Sequence, residues 1–446
     1  MFTLPPYIDD VMKDFRRRGY QIFVVGGAVR DLILKKSVTN WDFATDASPN
    51  DILKLFPDDF YHNVYGTVSI PFRKESVVLE VTPFRKESKY DDFRHPSHIE
   101  WAQTIEEDLG RRDFTINAIA YDGEKIMDPF DGQKHIREKL IVAVGNPDTR
   151  FQEDALRLIR AVRFASELGF LINEKTKHSI QQNASLITRI SWERLRDEFI
   201  KIIGSENPAE GILFLKNTGL LTYILPEVDM CFIVPQKSPY RHHIYDVGTH
   251  MVMSLKYCPS TDPITRLAAL LHDVGKAKTF RKDEKTDLIT FYNHEVVGTK
   301  LVEKIANRLK LSNKDKERLV ILVKYHQFTV SETQSDKAVR RFIRQVGKEN
   351  VQDMLDLRTG DRIGSGAKPT SWRLELFKKR IEQVQKEPFK ITDLKINGND
   401  VMEIKGIKPG PAIGTILRQI FDEVVEGKIP NRKETLLGRV KSINIL

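Results

Sequence analysis

Hydrophobic and polar positions follow two different rhythms along this chain, and the change falls near Asp148. Before it, short apolar runs separated by polar turns predict a region of mixed strands and helices. Ile8 to Arg18 carries apolar residues at helical spacing, Gln21 to Val25 reads as a strand, and Gly26-Gly27 reads as a tight turn into a second helix. Asp42 to Ala44 and Val77 to Phe84 read as further strands, the second with β-branched residues in alternation. Between them and the next motif, Arg85 to Arg94 is highly charged and poor in aliphatic residues, which predicts an exposed loop. From Asp148 onward the pattern is almost wholly helical. Phe151 to Leu168 is expected as one continuous helix, with Leu156, Ile159, Val162 and Phe164 among its apolar positions. Breaks fall at Gly204 to Pro208, Pro235 to Pro239 and Gly364 to Pro369. No repeat period or long low-complexity segment interrupts the pattern.

The length of 446 residues suits two to four domains with a sizeable core. Hydrophobic residues at 40% and charged residues at 30% match a folded globular chain and argue against wholesale disorder. Lys and Arg number 71 against 62 Asp and Glu, a net charge of +9 that favours a polyanionic partner without specifying one. Two cysteines, Cys231 and Cys258, cannot build a disulfide framework and suit a reducing compartment. No apolar run is long enough to span a bilayer, and acids stand where a signal peptide would need its apolar centre. A soluble, cytoplasmic protein with no membrane contact is the expectation; nothing in the sequence sets an oligomeric state.

Candidate chemistry begins at Val24 to Asp31. A strand, two glycines and a helix start let backbone amides approach a phosphate at the positive helix end, and Arg30 adds charge. Next comes Asn40-Trp41-Asp42, where positions 40 and 42 face the same side of a strand, as two ligands of one metal would. Glu80 sits on another strand and offers a further carboxylate; a scattered surface acid is an equally good reading of it. Acids on adjacent strands hold the paired Mg²⁺ ions of phosphoryl-transfer enzymes. Arg111-Arg112-Asp113 then sets two guanidinium forks, matched to triphosphate oxygens, beside a carboxylate. Asp113 and Asn117 are expected to hold the ribose or to order the site, with Asp113 a further candidate acid ligand.

The ordered motifs GGAVRD at 26–31, WDFATDA at 41–47 and RRDFTINA at 111–118 resemble the head of class II tRNA nucleotidyltransferases, the CCA-adding family that includes bacterial poly(A) polymerases. The resemblance covers most of the chain. It implies an α+β protein: a polymerase-β-like nucleotidyltransferase head with a small mixed sheet (1–147), a helical neck (148–235), a body (236–370) and a basic helical tail (371–446). It also implies tRNA, CTP and ATP as partners, Mg²⁺ as cofactor, and triphosphate contacts from Gly26, Gly27 and Arg30. The loop matching 85–94 is mobile in that family and assists the switch from C to A. The family places metal-binding carboxylates at positions 40 and 42, and here the chain departs from it. Asn40 offers one carbonyl oxygen but no charge, so it neither acts as a base nor bridges two cations well. It is either an introduced change or a natural variant of weak activity; a change that traps substrate with little chemistry is the favoured reading.

Glu153-Asp154-x-x-Arg157, followed by Arg160 and Arg163, reads most simply as a helix start whose acids answer the dipole and pair with arginines. Hydrogen-bond logic gives a sharper reading. Cytosine and adenine each pair an exocyclic amino donor with a ring-nitrogen acceptor, whereas guanine and uracil reverse that polarity. A carboxylate acceptor, Asp154, and a guanidinium donor, Arg157, therefore admit C and A and reject G and U. The EDxxR pattern resembles the base-selecting motif of the family, which implies that Arg160 and Arg163 also touch nucleotide and that Glu153 orients Arg157. Ser191 is expected to cap the following helix and Glu193 to pair with Arg196, bracing the neck.

Further on, His250, His272-Asp273, His294, His326 and Asp361 suit a divalent transition metal that activates water. With the lead-in 242–250, this pattern resembles the HD phosphohydrolase domain. The resemblance implies His250, His272, Asp273 and Asp361 as ligands, His294 and His326 for a second metal or phosphate, and Lys276 for phosphate. The tail carries 15 Lys and Arg against 10 Asp and Glu over 371–446, and its glycine-rich 406–414 segment is expected to open a helix from Ile413 and to meet tRNA phosphates. The function expected is template-independent addition of C, C and A to tRNA. A CC- or A-adding enzyme, a poly(A) polymerase, an HD phosphohydrolase with an impaired head, and a tRNA-binding chaperone are the alternatives; the Tyr65 to Val68 segment and the short N-terminus favour the CCA-adding branch.

Overall fold

The computed structural model describes residues 2–56, 60–62, 66–72, 77–90, 96–236, 245–384 and 391–443. The chain divides into two compact units, residues 1–230 with 305–311, and residues 231–304 with 312–446.

In the first unit an N-terminal helix, Pro6–Arg17, buries Ile8, Val11, Met12 and Phe15, the single stripe that its spacing demands. The sheet beside it uses β1 (Ile22–Val25), β2 (Trp41–Thr45), β3 (Phe60–His62), β4 (Thr67–Phe72), β5 (Val77–Pro83), β8 (Ala120–Tyr121) and β9 (Ile126–Met127) in the order β3-β4-β5-β2-β1-β8-β9. Only β2 and β5 run parallel, which makes the sheet mixed. All four residues of β1 are buried, as an uninterrupted Ile-Phe-Val-Val run at the sheet centre should be. The register sets Asp42 on β2 directly beside Glu80 on β5. Gly26 ends β1 at φ +72°, a conformation glycine adopts without strain, and the helix Gly27–Ile33 begins at once.

Two expectations for this unit are corrected. Residues 85–90 form β6 (Arg85–Tyr90), not a loop, and pair antiparallel with β7 (Pro96–Trp101). Strand pairing satisfies the backbone whatever the side chains are. Lys86 and Glu100 stand opposite one another and both are exposed, where charge costs nothing. Residues 91–94 of the expected loop lie outside the described residues. The second correction concerns 151–168. One helix, Pro147–Glu153, stops; Asp154 is extended at φ −136°, ψ 104°; and a second helix, Leu156–Leu168, starts. Asp154 Oδ1 accepts from the Leu156 amide at 3.0 Å, so the acid satisfies a backbone donor that a continuous helix would have used itself. Beyond that helix, two two-residue strands, β10 (Leu140–Ile141) and β11 (Leu171–Ile172), pair in parallel and tie the ends of this segment together. The helix Trp192–Gly204 follows. Ser191 stands at its N-cap without a side-chain cap bond, and Arg196 bonds Asp197 rather than Glu193.

Among its described residues the second unit is helical apart from one short hairpin. The helices Val247–Lys256 and Val351–Gly364 pack closely because Gly360 and Gly364 present no side chain to Ser254. The 371–443 part carries a cluster of its own, with Ile416, Ile420, Leu436 and Val440 at its centre. The helix expected from Ile413 starts two residues earlier, at Pro411, behind exposed Gly410. Among the described residues no helix is long and apolar enough to cross a membrane.

A Cβ at Gly360 would lie within backbone-clash range of the Ser254 carbonyl. Gly360→Ala is therefore expected to destabilise the second unit by about 1–3 kcal/mol, seen as a lower thermal midpoint.

Candidate active sites

In the first unit a cavity of about 600 Å³ opens where β1, β2 and the helix Leu156–Leu168 converge. Gly26, Gly27, Arg30, Asn40, Asp42, Arg111, Arg112, Asp113, Asn117, Asp154, Arg157, Arg160 and Arg163 all line it. Of the expected site residues in this unit, Glu80 and Glu153 alone stand back from the wall. Glu80 flanks Asp42 across the sheet, and Glu153 Oε2 accepts from Arg157 Nη1 at 2.7 Å. With Arg194 and Lys201, eight cationic side chains face four acids, Asp31, Asp42, Asp113 and Asp154. That balance selects a polyanion.

The arginines are held from behind. Arg111 and Arg112 both pair with Asp108, buried in the helix Ile105–Gly110, at 2.8 and 3.0 Å. Burial pushes the Asp108 carboxyl up, but the two guanidinium groups outweigh it and the net shift is downward. Arg160 forks onto Asp113 Oδ2, which Asn117 and the Phe114 amide steady through Oδ1. Burial again opposes ionisation, and Arg160 overrides it, bringing Asp113 down to about 2. Asp113 is thereby occupied as an anchor for Arg160. Asn117 accepts from Arg30 at 2.8 Å, fixing the guanidinium at the glycine turn. Arg157 Nη1 donates to Glu153 and to the Arg150 carbonyl and its Nη2 to the Arg111 carbonyl, three of the five donors a guanidinium carries. Asp154 meets Arg194 at 3.5 Å. Arg163 pairs with Glu198 at 2.6 Å and lies 4.0 Å over the Phe164 ring, which Arg160 and Arg30 also approach.

Asp42 behaves differently. Burial raises its pKa, Glu80 adds to the rise, and Arg112 only partly offsets it. A carboxylate so placed gains by meeting a cation. Asp42 and Asn40 share the cavity wall and offer oxygen donors of the kind a hard divalent ion takes, with Glu80 beside Asp42 in the sheet and one carboxylate fewer than an acid at position 40 would supply.

Sequence reasoning missed Asp108, Phe164, Arg194, Glu198 and Lys201. The signals were present as spacing: Asp108 lies three and four residues before Arg111 and Arg112, and 194, 198 and 201 share one helical face.

The second unit gathers His250, His272, Asp273, His294, His326 and Asp361 around another cavity, of about 620 Å³. Two overlapping triads, His250-His272-Asp273 and Asp273-His294-His326, share Asp273. Its Oδ2 lies 3.2 Å from the Nε2 atoms of His250 and His272, and its Oδ1 lies 3.2 Å from His294 and 3.7 Å from His326. Asp361 Oδ1 is 3.4 Å from His250. Nδ1 of His272, His294 and His326 each meets a backbone carbonyl, at 2.8, 2.9 and 2.7 Å. Each ring so held turns its Nε2 inward, the orientation from which a neutral imidazole would offer its lone pair to a metal. Burial works against charge throughout, yet Asp273 raises His272 to about 10, while Asp273 and Asp361 are held well below the carboxylate range. His326 is pushed down by burial. This donor set fits a transition metal. Lys276, a candidate phosphate contact, is instead buried against Asp273 at 2.6 Å and Gln236 at 2.7 Å. Residues 242–244 of the lead-in lie outside the described residues.

An arginine-walled cavity at a β-strand–diglycine–helix turn, beside a half-buried acid on a mixed sheet, defines a nucleotidyltransferase head. Residues 22–142 match the poly A polymerase head domain, 169–232 the probable RNA and SrmB-binding site of polymerase A, and 273–440 the putative tRNA nucleotidyltransferase domain 2. The chain belongs to the CCA-adding enzyme family. It is 31% identical to the CCA-adding enzyme of Geobacillus sp. (strain WCH70) over 96% of this chain and 94% of that one, and 31% identical to that of Geobacillus stearothermophilus over 97% and 96%. The crystal structure of the Bacillus stearothermophilus CCA-adding enzyme in complex with CTP aligns over 98% of this chain and 97% of its own, with a TM-score of 0.73 and 28% identity. The Thermotoga maritima CCA-adding enzyme complexed with tRNA shares the fold, covering 99% of this chain and 97% of that one, at a TM-score of 0.63 and 20% identity.

Asp113 gives a pH test. Its folded pKa lies below the ordinary 3.8, so its contribution is fully present above about 4 and is lost as pH falls towards 2. Asp113→Asn is expected to cost about 2 kcal/mol or more at pH 7. In urea titrations the gap between parent and variant narrows between pH 4 and 2.

Proposed function

We propose that the chain builds the 3′ end of tRNA by adding C, C and A from CTP and ATP. One observation carries the reading: a cavity wall of eight cationic side chains, Arg157 among them, that also carries Asp154, in a member of the CCA-adding family. The terminal 3′-oxygen attacks the α-phosphorus, a new P–O bond forms, pyrophosphate leaves, and the hydroxyl proton passes to solvent or to a carboxylate. Arg30, Arg111 and Arg112, with the amides at Gly26 and Gly27, bind the triphosphate. Asp154 and Arg157 read the base, Glu153 orients Arg157, and Arg160 and Arg163 complete the pocket. Asp113 and Asn117 position Arg160 and Arg30. Asp42, Glu80 and the Asn40 carbonyl would hold Mg²⁺, which supplies charge neutralisation on the triphosphate. With Asn40 the site has the binding groups of a transferase and a reduced capacity for chemistry.

Residues 1–147 serve in this reading as head and 148–235 as neck. The tail's exposed 408–411 turn and its basic balance suit contact with tRNA phosphates, in the cytoplasm where that substrate is met. A second reading, metal-dependent phosphoester hydrolysis in the 236–370 body, is favoured by the two triads around Asp273. His250, His272, Asp273 and Asp361 would hold a transition metal there, with His294 and His326 available to a second.

The test of the transferase is extension of tRNA ending at its discriminator base, with CTP and ATP singly and together. Asn40→Asp is expected to add C, C and A at least about tenfold faster than the parent. Equal rates would remove position 40 from the metal site. Addition of C alone or A alone would assign a partial enzyme, runs of A would assign a poly(A) polymerase, and silence from both proteins would overturn the reading. For the body, calorimetric titration with Mn²⁺ should show a tight site in the parent that His272→Ala loses; equal binding would overturn that reading.

A further inference from the structure

Acids and amides hold the arginines of the first cavity, and one aromatic ring gathers three of them. Arg163 lies 4.0 Å over the Phe164 ring, Arg160 5.3 Å and Arg30 5.5 Å. Arg160 and Arg163 stand on the ring's own helix, Leu156–Leu168, whereas Arg30 stands on the helix Gly27–Ile33 behind the diglycine. Phe164 is therefore where the cation of the glycine turn meets the cations of the opposite wall.

Each guanidinium also has a polar anchor: Asn117 and Asp31 for Arg30, Asp113 for Arg160, Glu198 and Glu167 for Arg163. An anchored edge leaves the planar group free to tilt, and a ring packed against it removes that freedom. Three like charges around one point also repel. The faces of a phenyl ring carry the negative part of its quadrupole and offset some of that repulsion. An aliphatic side chain of similar bulk supplies no such field.

The ring is itself fixed. Phe164 is 5% exposed, and the fully buried Phe114 meets it edge-on at 5.8 Å and 78°. Asp113 and Phe114 are neighbours in the chain, and Arg160 and Phe164 are one helical turn apart. One ion pair and one ring pair thus join the same two segments. Phe164 nonetheless reaches the cavity wall, which is otherwise mostly polar.

We propose that Phe164 is a positioning residue for phosphate binding: the field of its ring holds Arg30, Arg160 and Arg163 as one array. The inference rests on the transferase reading and names an uncharged side chain that sets the site's positive charge. Base choice stays with Asp154 and Arg157, whose partners are Arg194, Glu153 and two carbonyls rather than the ring.

The test measures CTP and ATP binding to the full chain by calorimetric titration, with inorganic triphosphate as a competitor of CTP. Phe164→Leu keeps an apolar side chain and removes the ring; Phe164→Tyr keeps the ring. Phe164→Leu is expected to weaken CTP, ATP and triphosphate by a common factor of about ten, and Phe164→Tyr to restore most of it. In the Asn40→Asp background the same change should raise KM for both nucleotides more than it lowers kcat, with the ratio of C to A use unchanged. Replacing Phe164 by mono-, di- and trifluorinated phenylalanine drains the ring's negative face at nearly constant shape, so affinity should fall with each fluorine. That series also decides the matter if Phe164→Leu fails to fold. If the fluorinated proteins bind CTP as the parent does, the ring is packing alone and the inference is wrong, while the transferase reading stands. A shifted ratio of C to A use would overturn it as well, by placing the ring on the base side. If the parent binds neither nucleotide, the transferase reading falls and this inference with it.

Discussion

Seven guanidinium groups line one cavity in the first unit, and mutual repulsion would scatter them if nothing restrained them. Each is restrained by groups set behind or beside it. Asp108 takes Arg111 and Arg112, Asp113 takes Arg160, Glu153 takes Arg157, Glu198 takes Arg163, Asp154 takes Arg194, and Asn117 with Asp31 takes Arg30. Asp108, Asp113 and Glu198 are buried, where an unpaired charge would be costly, so arginine and acid keep each other in place. The outcome is a site with its positive charge already oriented before substrate arrives. Little reorganisation is then left for a bound triphosphate to pay for, which is how electrostatic preorganisation works.

The second unit solves a related problem with imidazole rings. Backbone carbonyls at Ala269, Phe291 and Val323 face three Nδ1 atoms and turn the other nitrogens inward. Asp273 serves both triads because each of its oxygens faces a different pair of imidazoles. The sharing follows from Asp273 lying next to His272 in the chain.

Much of this was legible because chemistry and local structure coincide. A diglycine after an apolar run forces a turn, and the residues around it reached the cavity as the motifs suggested. The histidines were readable because imidazole beside carboxylate has few structural uses at that density. What escaped the sequence were effects of tertiary placement. Asp108 reads as an ordinary helix acid until burial makes it an anchor. Arg194, Glu198 and Lys201 read as a solvated face until the fold supplies a cavity for it. The β6–β7 ribbon was hidden because pairing is a property of two segments, and its charged side chains mimic a loop. The break at Asp154 was hidden because an acid in an apolar-periodic run is compatible both with a helix interior and with a new helix start.

The short parallel pairing of β10 with β11 bears on how such a chain can vary. It ties Leu140–Ile141 to Leu171–Ile172, so the Asp154 turn and the helix carrying Arg157, Arg160 and Arg163 sit in a closed circuit. An inserted or deleted residue inside that circuit has nowhere to be absorbed; it would rotate the base-facing side chains by about 100° per residue of helix. Length drift within that circuit is therefore ruinous to the site.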